Sequence, residues 1–315
     1  MNAVVKKPRV ICLMGPTAAG KTPLAVKLVQ NFPCEIISVD SAMVYKHMDI
    51  GTAKPDAEIL KIAPHRLINL VDPSEAYSAG RFRVDALEAI EEIIAQGKIP
   101  LLVGGTMLYF RVLQQGIASL PKADTAIRAA LTLRAKENGW SALHAELACI
   151  DPQAAERINV NDAQRIQRAL EVFQLSGKTI SALQAADTNS LSTYEMINLA
   201  ITPEDRARLH ERIALRFQQM LDLGFMAEVE CLYKRADLSP QLPAIRSVGY
   251  AQAWDYLAGS LSHDDMREKA IAATRQLAKR QLTWLRSWQA LEWFDSEADT
   301  LYEQIAKRLL AYGIK

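Results

Sequence analysis

Residues 10 to 24 read Val-Ile-Cys-Leu-Met-Gly-Pro-Thr-Ala-Ala-Gly-Lys-Thr-Pro-Leu, and the spacing G-x-x-x-x-G-K-T runs through them from Gly15 to Thr22. Val10 to Met14 is an apolar run of the length of a buried parallel strand. From Pro23 onward, Leu24, Ala25, Leu28 and Val29 recur at helical spacing. Strand, glycine-rich loop and helix start therefore follow one another in the order a phosphate loop requires. Such a loop turns successive backbone N–H groups inward at a helix N-terminus and cradles a diphosphate. Lys21 adds a point charge, and the Thr22 hydroxyl can ligate Mg²⁺. A chance glycine-rich turn is disfavoured by the Lys-Thr pair and by the strand-to-helix setting. The motif leaves open which diphosphate is bound.

Working outward, a chain of 315 residues suggests one large domain with a second, smaller one. Half of the residues are hydrophobic, ample for a packed core, yet no run approaches the ~18 apolar residues of a membrane span. The stretch Met1 to Lys7 has no apolar segment of the secretory type, so a cytoplasmic protein is expected. Four cysteines lie far apart with no C-x-x-C pair, which points to neither zinc nor a disulfide framework. The net charge of +1 says nothing of nucleic acid, so such a partner has to rest on local patches.

Glu35 to Val39 reads as a second strand ending in Asp40, and the carboxyl ends of strands are where open α/β sheets hold their ligands. From position alone Asp40 is equally a turn or cap residue and a general base or indirect Mg²⁺ partner. The Gly- and Pro-punctuated segments Met48 to Pro55, Ala63 to Leu67 and Asp72 to Ser78 read as loops over the strand ends, with His65 structural rather than catalytic. Residues 80 to 97 form an amphipathic helix, Ile99 to Val103 a third buried strand, and Gly104-Gly105-Thr106 a tight turn at its end. The alternation implies a doubly wound parallel α/β sheet.

Residues 124 to 186 carry only helical periodicities, so a helical insertion is expected over 120–189, with 1–119 and 190–315 as the catalytic core. Its most informative helix opens at Asn161-Asp162 and closes at Gly177, presenting Gln164, Arg165 and Arg168 on one face. With Arg128, Arg134, Lys136 and Arg157, these residues are either an RNA-facing surface or a solvated one. Strand character returns at Met196 to Ile201. Everything beyond is read as helical, including Pro203 to Leu223, with Arg208, Arg212 and Arg216, and a basic helix from about Asp264 to Trp288.

Together, Gly15 to Thr22, Asp40-Ser41-Ala42-Met43-Val44-Tyr45, Met48 to Pro55, Gly104-Gly105-Thr106, Arg246-Ser247-Val248-Gly249-Tyr250 and Lys279 to Arg286 resemble the bacterial tRNA dimethylallyltransferase (tRNA isopentenyltransferase) family over nearly the whole chain. The Asp40 to Pro55 segment is the specific part, since phosphate-loop kinases share only the first motif. The resemblance implies a P-loop NTPase-like fold and transfer of a dimethylallyl group from dimethylallyl diphosphate to N6 of adenosine 37, in the anticodon stem-loop of tRNAs reading codons that begin with U. It further implies that Gly15, Pro16, Thr17, Ala18, Ala19, Gly20, Lys21, Thr22 and Arg216 hold the diphosphate, with Lys21 and Thr22 catalytic and Mg²⁺ at Thr22. Asp40 is then the general base. The implied tRNA contacts are Asp40, Ser41, Ala42, Met43, Thr106, Arg128, Gln164, Arg165, Ile166, Gln167, Arg168, Arg246, Ser247, Val248, Gly249, Tyr250 and Ala251, the last standing where the family usually has Lys or Arg.

The chemistry suits these residues independently. Diphosphate is the leaving group, so cations and N–H donors stabilise the charge that develops as the allylic C–O bond breaks. The attacking exocyclic amine is weakly basic and has to lose a proton to a nearby carboxylate. The alternative is a small-molecule kinase using the same loop for ATP, but no arginine-dense lid follows the third strand. A monomer acting in the cytoplasm, with tRNA and dimethylallyl diphosphate as partners and no membrane, is the expected setting.

Overall fold

The computed structural model describes residues 7–118, 120–186 and 193–315. Two compact units divide the chain, one of Met1–Gln114 with Ser192–Lys315 and one of Gln115–Leu191. The domain boundaries expected at 119/120 and 189/190 fall at residues outside those described, or directly beside one.

In the first unit, β1 (Arg9–Met14) leads through the glycine-rich loop into α1 (Lys21–Asn31), then β2 (Cys34–Val39), α2 (Ala57–Ile62), β3 (His65–Arg66), α3 (Ala79–Ala95), β4 (Ile99–Gly104) and α4 (Met107–Gln115). In the second lie α5 (Thr125–Ile150), α6 (Pro152–Arg157), α7 (Ala163–Ser176) and α8 (Ile180–Ala186). The first unit resumes with β5 (Glu195–Thr202), α9 (Arg206–Asp222), α10 (Phe225–Tyr233), α11 (Tyr250–Leu257), α12 (His263–Arg286), β6 (Leu291–Asp295) and α13 (Leu301–Ala311).

The described strands form one six-stranded, wholly parallel sheet in the order β3-β2-β4-β1-β5-β6. It is doubly wound, as expected. Strand β1 is central because every residue from Val10 to Met14 is fully buried, paired with β4 on one side (Ile11 to Leu101) and β5 on the other (Ile11 to Ile197). A strand buried on both faces reads as a continuous apolar run, which is how it announces itself. Leu24, Ala25 and Leu28 of α1 pack on it with Ile36, Leu101 and Leu199. Each such Leu or Ile contributes about 1.5–3 kcal/mol on burial.

Two strands were not expected. Residues 63–67 read as a loop, yet His65 and Arg66 pair with Ile36 and Ile37; two residues are too few to show a period. Strand β6 lies in the stretch read as helical. It is an edge strand, only half-buried, and Glu292 and Asp295 interrupt its apolar residues, so its sequence lacks the run that marks β1. No described helix is long and apolar enough to cross a membrane.

The second unit has its own core of Leu131, Leu143, Leu147, Ile166 and Leu170. Helix α5 breaks at Gly139, whose φ of 80° suits glycine, and α7 starts where the Asp162 side chain accepts the Arg165 N–H and ends at Gly177 with φ 66°.

Candidate active site

The loop leaving β1 lies at the carboxyl end of the central strand, with a backbone neighbour close on one side. A Cβ on Gly15 would sit 2.5 Å from the Ile201 carbonyl oxygen of β5, so only glycine fits. Ala18 and Gly20 then take positive φ values of 63° and 88°, which reverse the chain and deliver it into α1. Ala18 tolerates this because its side chain is gripped by Leu209 and Ile213 of α9 and Ala278 of α12. The loop is thus clamped from outside by two helices.

Lys21 folds back over the loop, donating from Nζ to the carbonyls of Gly15 (3.0 Å) and Pro16 (2.7 Å). Burial pushes its amine down to about 7, helped by the nearby Arg216 charge and opposed by Asp40. Arg216 is lowered as well, by burial against the opposing pull of Asp40 and with the added repulsion of Arg212. Arg212, one turn earlier on α9, lies where a Cβ on Gly20 would come within 3.1 Å of its guanidinium. Three cations therefore crowd a loop whose own N–H groups carry partial positive charge, with Asp40 as the counter-charge. Such an arrangement is ready for a polyanion.

Asp40 follows β2. Its Oδ1 accepts the backbone N–H of Ala42 (2.8 Å) and of Met43 (3.3 Å), an Asx turn that locks the carboxylate plane and leaves Oδ2 for other work. The turn reading and the functional reading thus occupy different oxygens of one side chain. The Ser41 N–H donates to Thr106 Oγ1 at 3.0 Å and the Thr106 N–H to the Val39 carbonyl, tying the loop after β2 to the loop after β4. Gly104 is obligatory there, as its Cβ would lie 2.0 Å from Val39 O.

The segment Met48 to Pro55 turns out to be a scaffold. Glu228 of α10 accepts three successive backbone N–H groups, from Asp49 (2.7 Å), Ile50 (2.8 Å) and Gly51 (3.1 Å), and the Tyr250 hydroxyl at 2.6 Å. Lys54 donates to Tyr45 O, Asp49 Oδ1 and Asn69 Oδ1. A Cβ on Gly51 would strike the Phe225 and Tyr250 rings at 2.3–2.6 Å. His65 is half-buried in β3 with Nδ1 2.7 Å from Ala63 O, and burial lowers its pKa.

These parts enclose a cavity of about 1310 Å³, beyond the ~300–1,000 Å³ that suits one small ligand. It is lined by Thr17 to Thr22, Asp40 to Met43, Thr106, Arg216 and Arg246 to Tyr250. Gly15, Pro16 and Ala251 are not part of the lining, though the carbonyls of Gly15 and Pro16 hold Lys21, which is. Two expected contact residues need correction as side chains: Ile166 is fully buried in the core of the second unit, and the Tyr250 ring is fully buried with its hydroxyl taken by Glu228. Arg128 and Arg168 are also committed internally. Both grip Glu171, a fully buried carboxylate that accepts the Asp124 N–H too; burial works against its charge, but these bonds hold it below the usual carboxylate range. Gln164 and Arg165 remain exposed. Residues that sequence reasoning missed are Glu228, Arg212 and Gln281.

For a metal, no described group of three or more His, Cys, Asp or Glu side chains is placed to hold one. The donor at hand is the Thr22 hydroxyl, with Asp40 as an outer partner acting through water, so that its Oδ2 is not spent on the ion. That set fits Mg²⁺, which uses one or two protein oxygens and takes its remaining ligands from phosphates and water.

The IPP transferase family model matches residues 43–288. The tRNA dimethylallyltransferase of Thioalkalivibrio sulfidiphilus is 60% identical over 92% of this chain and 91% of its own, and that of Coxiella burnetii 53% identical over 98% and 99%. Among solved structures, the full-length tRNA isopentenylpyrophosphate transferase of Bacillus halodurans superposes with a TM-score of 0.71 at 34% identity, covering 98% of both chains. A eukaryotic dimethylallyltransferase acting on tRNA gives 0.80 at 28% identity, covering 98% of this chain and 80% of that one.

Proposed function

The chain belongs to the IPP transferase family, and from that premise we propose that it transfers the dimethylallyl group of dimethylallyl diphosphate to N6 of adenosine 37 in tRNAs reading UNN codons. The observation that carries the reading is the joining of the Lys21–Arg216 cation cluster to the Asp40 turn within one cavity large enough for both a diphosphate ester and a nucleobase. A kinase would need the loop but not the Asp40 to Pro55 scaffold.

In this mechanism the loop N–H groups, Lys21 and Arg216 bind the diphosphate. The allylic C–O bond breaks with its electron pair leaving on the diphosphate, whose new charge these donors stabilise. The N6 lone pair forms the new C–N bond, and Asp40 Oδ2 takes the proton that N6 gives up. Oδ1, pinned by two N–H groups, keeps Oδ2 from rotating away. Mg²⁺ held at the Thr22 hydroxyl, with Asp40 as an outer partner, would add positive charge at the leaving group. The adenine leaves its stack to enter, which in a tRNA loop costs only about a few kcal/mol.

On the tRNA side, Ser41 to Met43, Thr106 and the exposed Arg246 meet the anticodon loop, and the exposed Gln164 and Arg165 of the second unit meet backbone phosphate. The protein works as a cytoplasmic monomer. The test incubates it with radiolabelled dimethylallyl diphosphate and unmodified tRNA, and separately with ATP and a panel of small acceptors. Label in the tRNA, lost when adenosine 37 is replaced, is expected; ATP turnover without transfer would refute the reading.

A further inference from the structure

Helix α12 carries one polar residue where its pattern calls for an apolar one. Ala278, Gln281 and Leu285 form a single buried stripe, and Gln281 is 9% exposed. Its amide spans two loops: Oε1 accepts the Thr17 N–H of the phosphate loop at 2.9 Å, and Nε2 donates to the Gly105 carbonyl after β4 at 2.8 Å. The orientation is dictated by the partners, since Thr17 offers a donor and Gly105 an acceptor. Gly105 itself leaves room for it, because a Cβ there would fall 2.5 Å from Nε2.

We propose that Gln281 is a positioning residue for the leaving diphosphate, holding the phosphate loop in its binding shape and coupling it to the face of α12 that lines the same cavity. Among the described residues, Thr17 is the only loop residue between Gly15 and Gly20 whose N–H is held by a side chain of another element. Fixing it sets the curvature that the positive φ of Ala18 and Gly20 completes, and so aims the N–H groups at the start of α1. Its neighbours on α12, Arg280 and Trp284, line the cavity wall. Any movement of that helix on binding nucleic acid would pull on Gln281 and leave a buried N–H, a buried carbonyl and both ends of an amide without partners, a cost that keeps loop and helix together.

The inference rests on the transferase reading but is tested without it. Binding of inorganic diphosphate and of dimethylallyl diphosphate is measured by calorimetry for the parent, Gln281→Met and Gly105→Ala. The first variant keeps the volume and removes both bonds; the second displaces Nε2 from the opposite side, its Cβ also coming 3.1 Å from the Gly15 carbonyl oxygen. Both are expected to bind diphosphate on the order of tenfold more weakly, with tRNA affinity within about twofold and the KM for dimethylallyl diphosphate raised in the transfer assay. Unchanged diphosphate affinity in both variants overturns the inference, as does a loss confined to tRNA affinity, which would make Gln281 a nucleic-acid contact. If Gln281→Met does not fold, Gln281→Asn, whose shorter amide cannot span both loops, decides in its place. A parent that binds diphosphate but transfers nothing to tRNA removes the transferase reading and leaves the bracket to stand or fall on the binding data. A parent that does not bind diphosphate overturns both.

Discussion

The Tyr250 hydroxyl donates to Glu228 at 2.6 Å, and the same carboxylate closes over the N–H groups of Asp49, Ile50 and Gly51. One side chain on α10 thereby joins two walls of the cavity, the turn 49–51 and the start of α11. Burial and the adjoining carboxylate push the Tyr250 hydroxyl well above the ordinary tyrosine range, so it remains a donor at every working pH.

Glu228→Ala leaves three N–H groups and a buried hydroxyl without their acceptor, and is expected to lower stability by about 2–4 kcal/mol. Thermal melting checks this, and Glu228→Gln, which can still accept, should lose less. A melting temperature equal to the parent's for the alanine variant would mean that the loop closes without this carboxylate.

Lys21 gives a pH signature. With its amine pushed down to about 7 in the free protein, it is largely neutral at pH 8, whereas a bound diphosphate ester restores its charge. Binding above pH 7 should therefore take up close to one proton, and affinity should fall by up to about tenfold per pH unit. Calorimetry in buffers of differing ionisation enthalpy counts the proton. Lys21→Arg, always charged, should abolish the uptake; uptake that persists in that variant would assign the proton to another group.

In the helical unit, exposed and committed arginines should separate. Arg165→Ala is expected to weaken tRNA binding and reduce the slope of log affinity against log salt by about one, with melting unchanged. Glu171→Ala should instead destabilise the unit, because two arginines lose their buried partner. Since Glu171 lies below the ordinary carboxylate range in the folded state, its contribution is present above about pH 4.3 and is lost as pH falls through the lowered folded value. A salt slope unchanged in Arg165→Ala would make that helix face merely solvated.

The sheet was legible where burial is two-sided. Val10 to Met14 and Ile99 to Val103 are apolar throughout because neither face meets water, whereas β3 is too short and β6 too polar to declare itself. The phosphate loop was legible because its chemistry needs particular residues in a fixed order. Glu228 and Gln281 were not, since their roles depend on partners 177 to 179 and 176 to 264 residues away, and only Gln281 left a trace, a polar residue in an apolar stripe. Arg128 and Arg168 show the same limit: a basic residue in sequence does not reveal the buried carboxylate with which it pairs.

The most direct measurement is single-turnover transfer from dimethylallyl diphosphate to a tRNA anticodon stem-loop by Asp40→Asn. Asparagine keeps an Oδ1 able to accept the Ala42 and Met43 N–H groups, so the turn, the melting temperature and both substrate affinities should stay within a few-fold of the parent. What it removes is the carboxylate that receives the N6 proton, and the transfer rate is expected to fall by a factor on the order of 10²–10⁴. Full activity in the asparagine variant would contradict the mechanism and give the proton to another group.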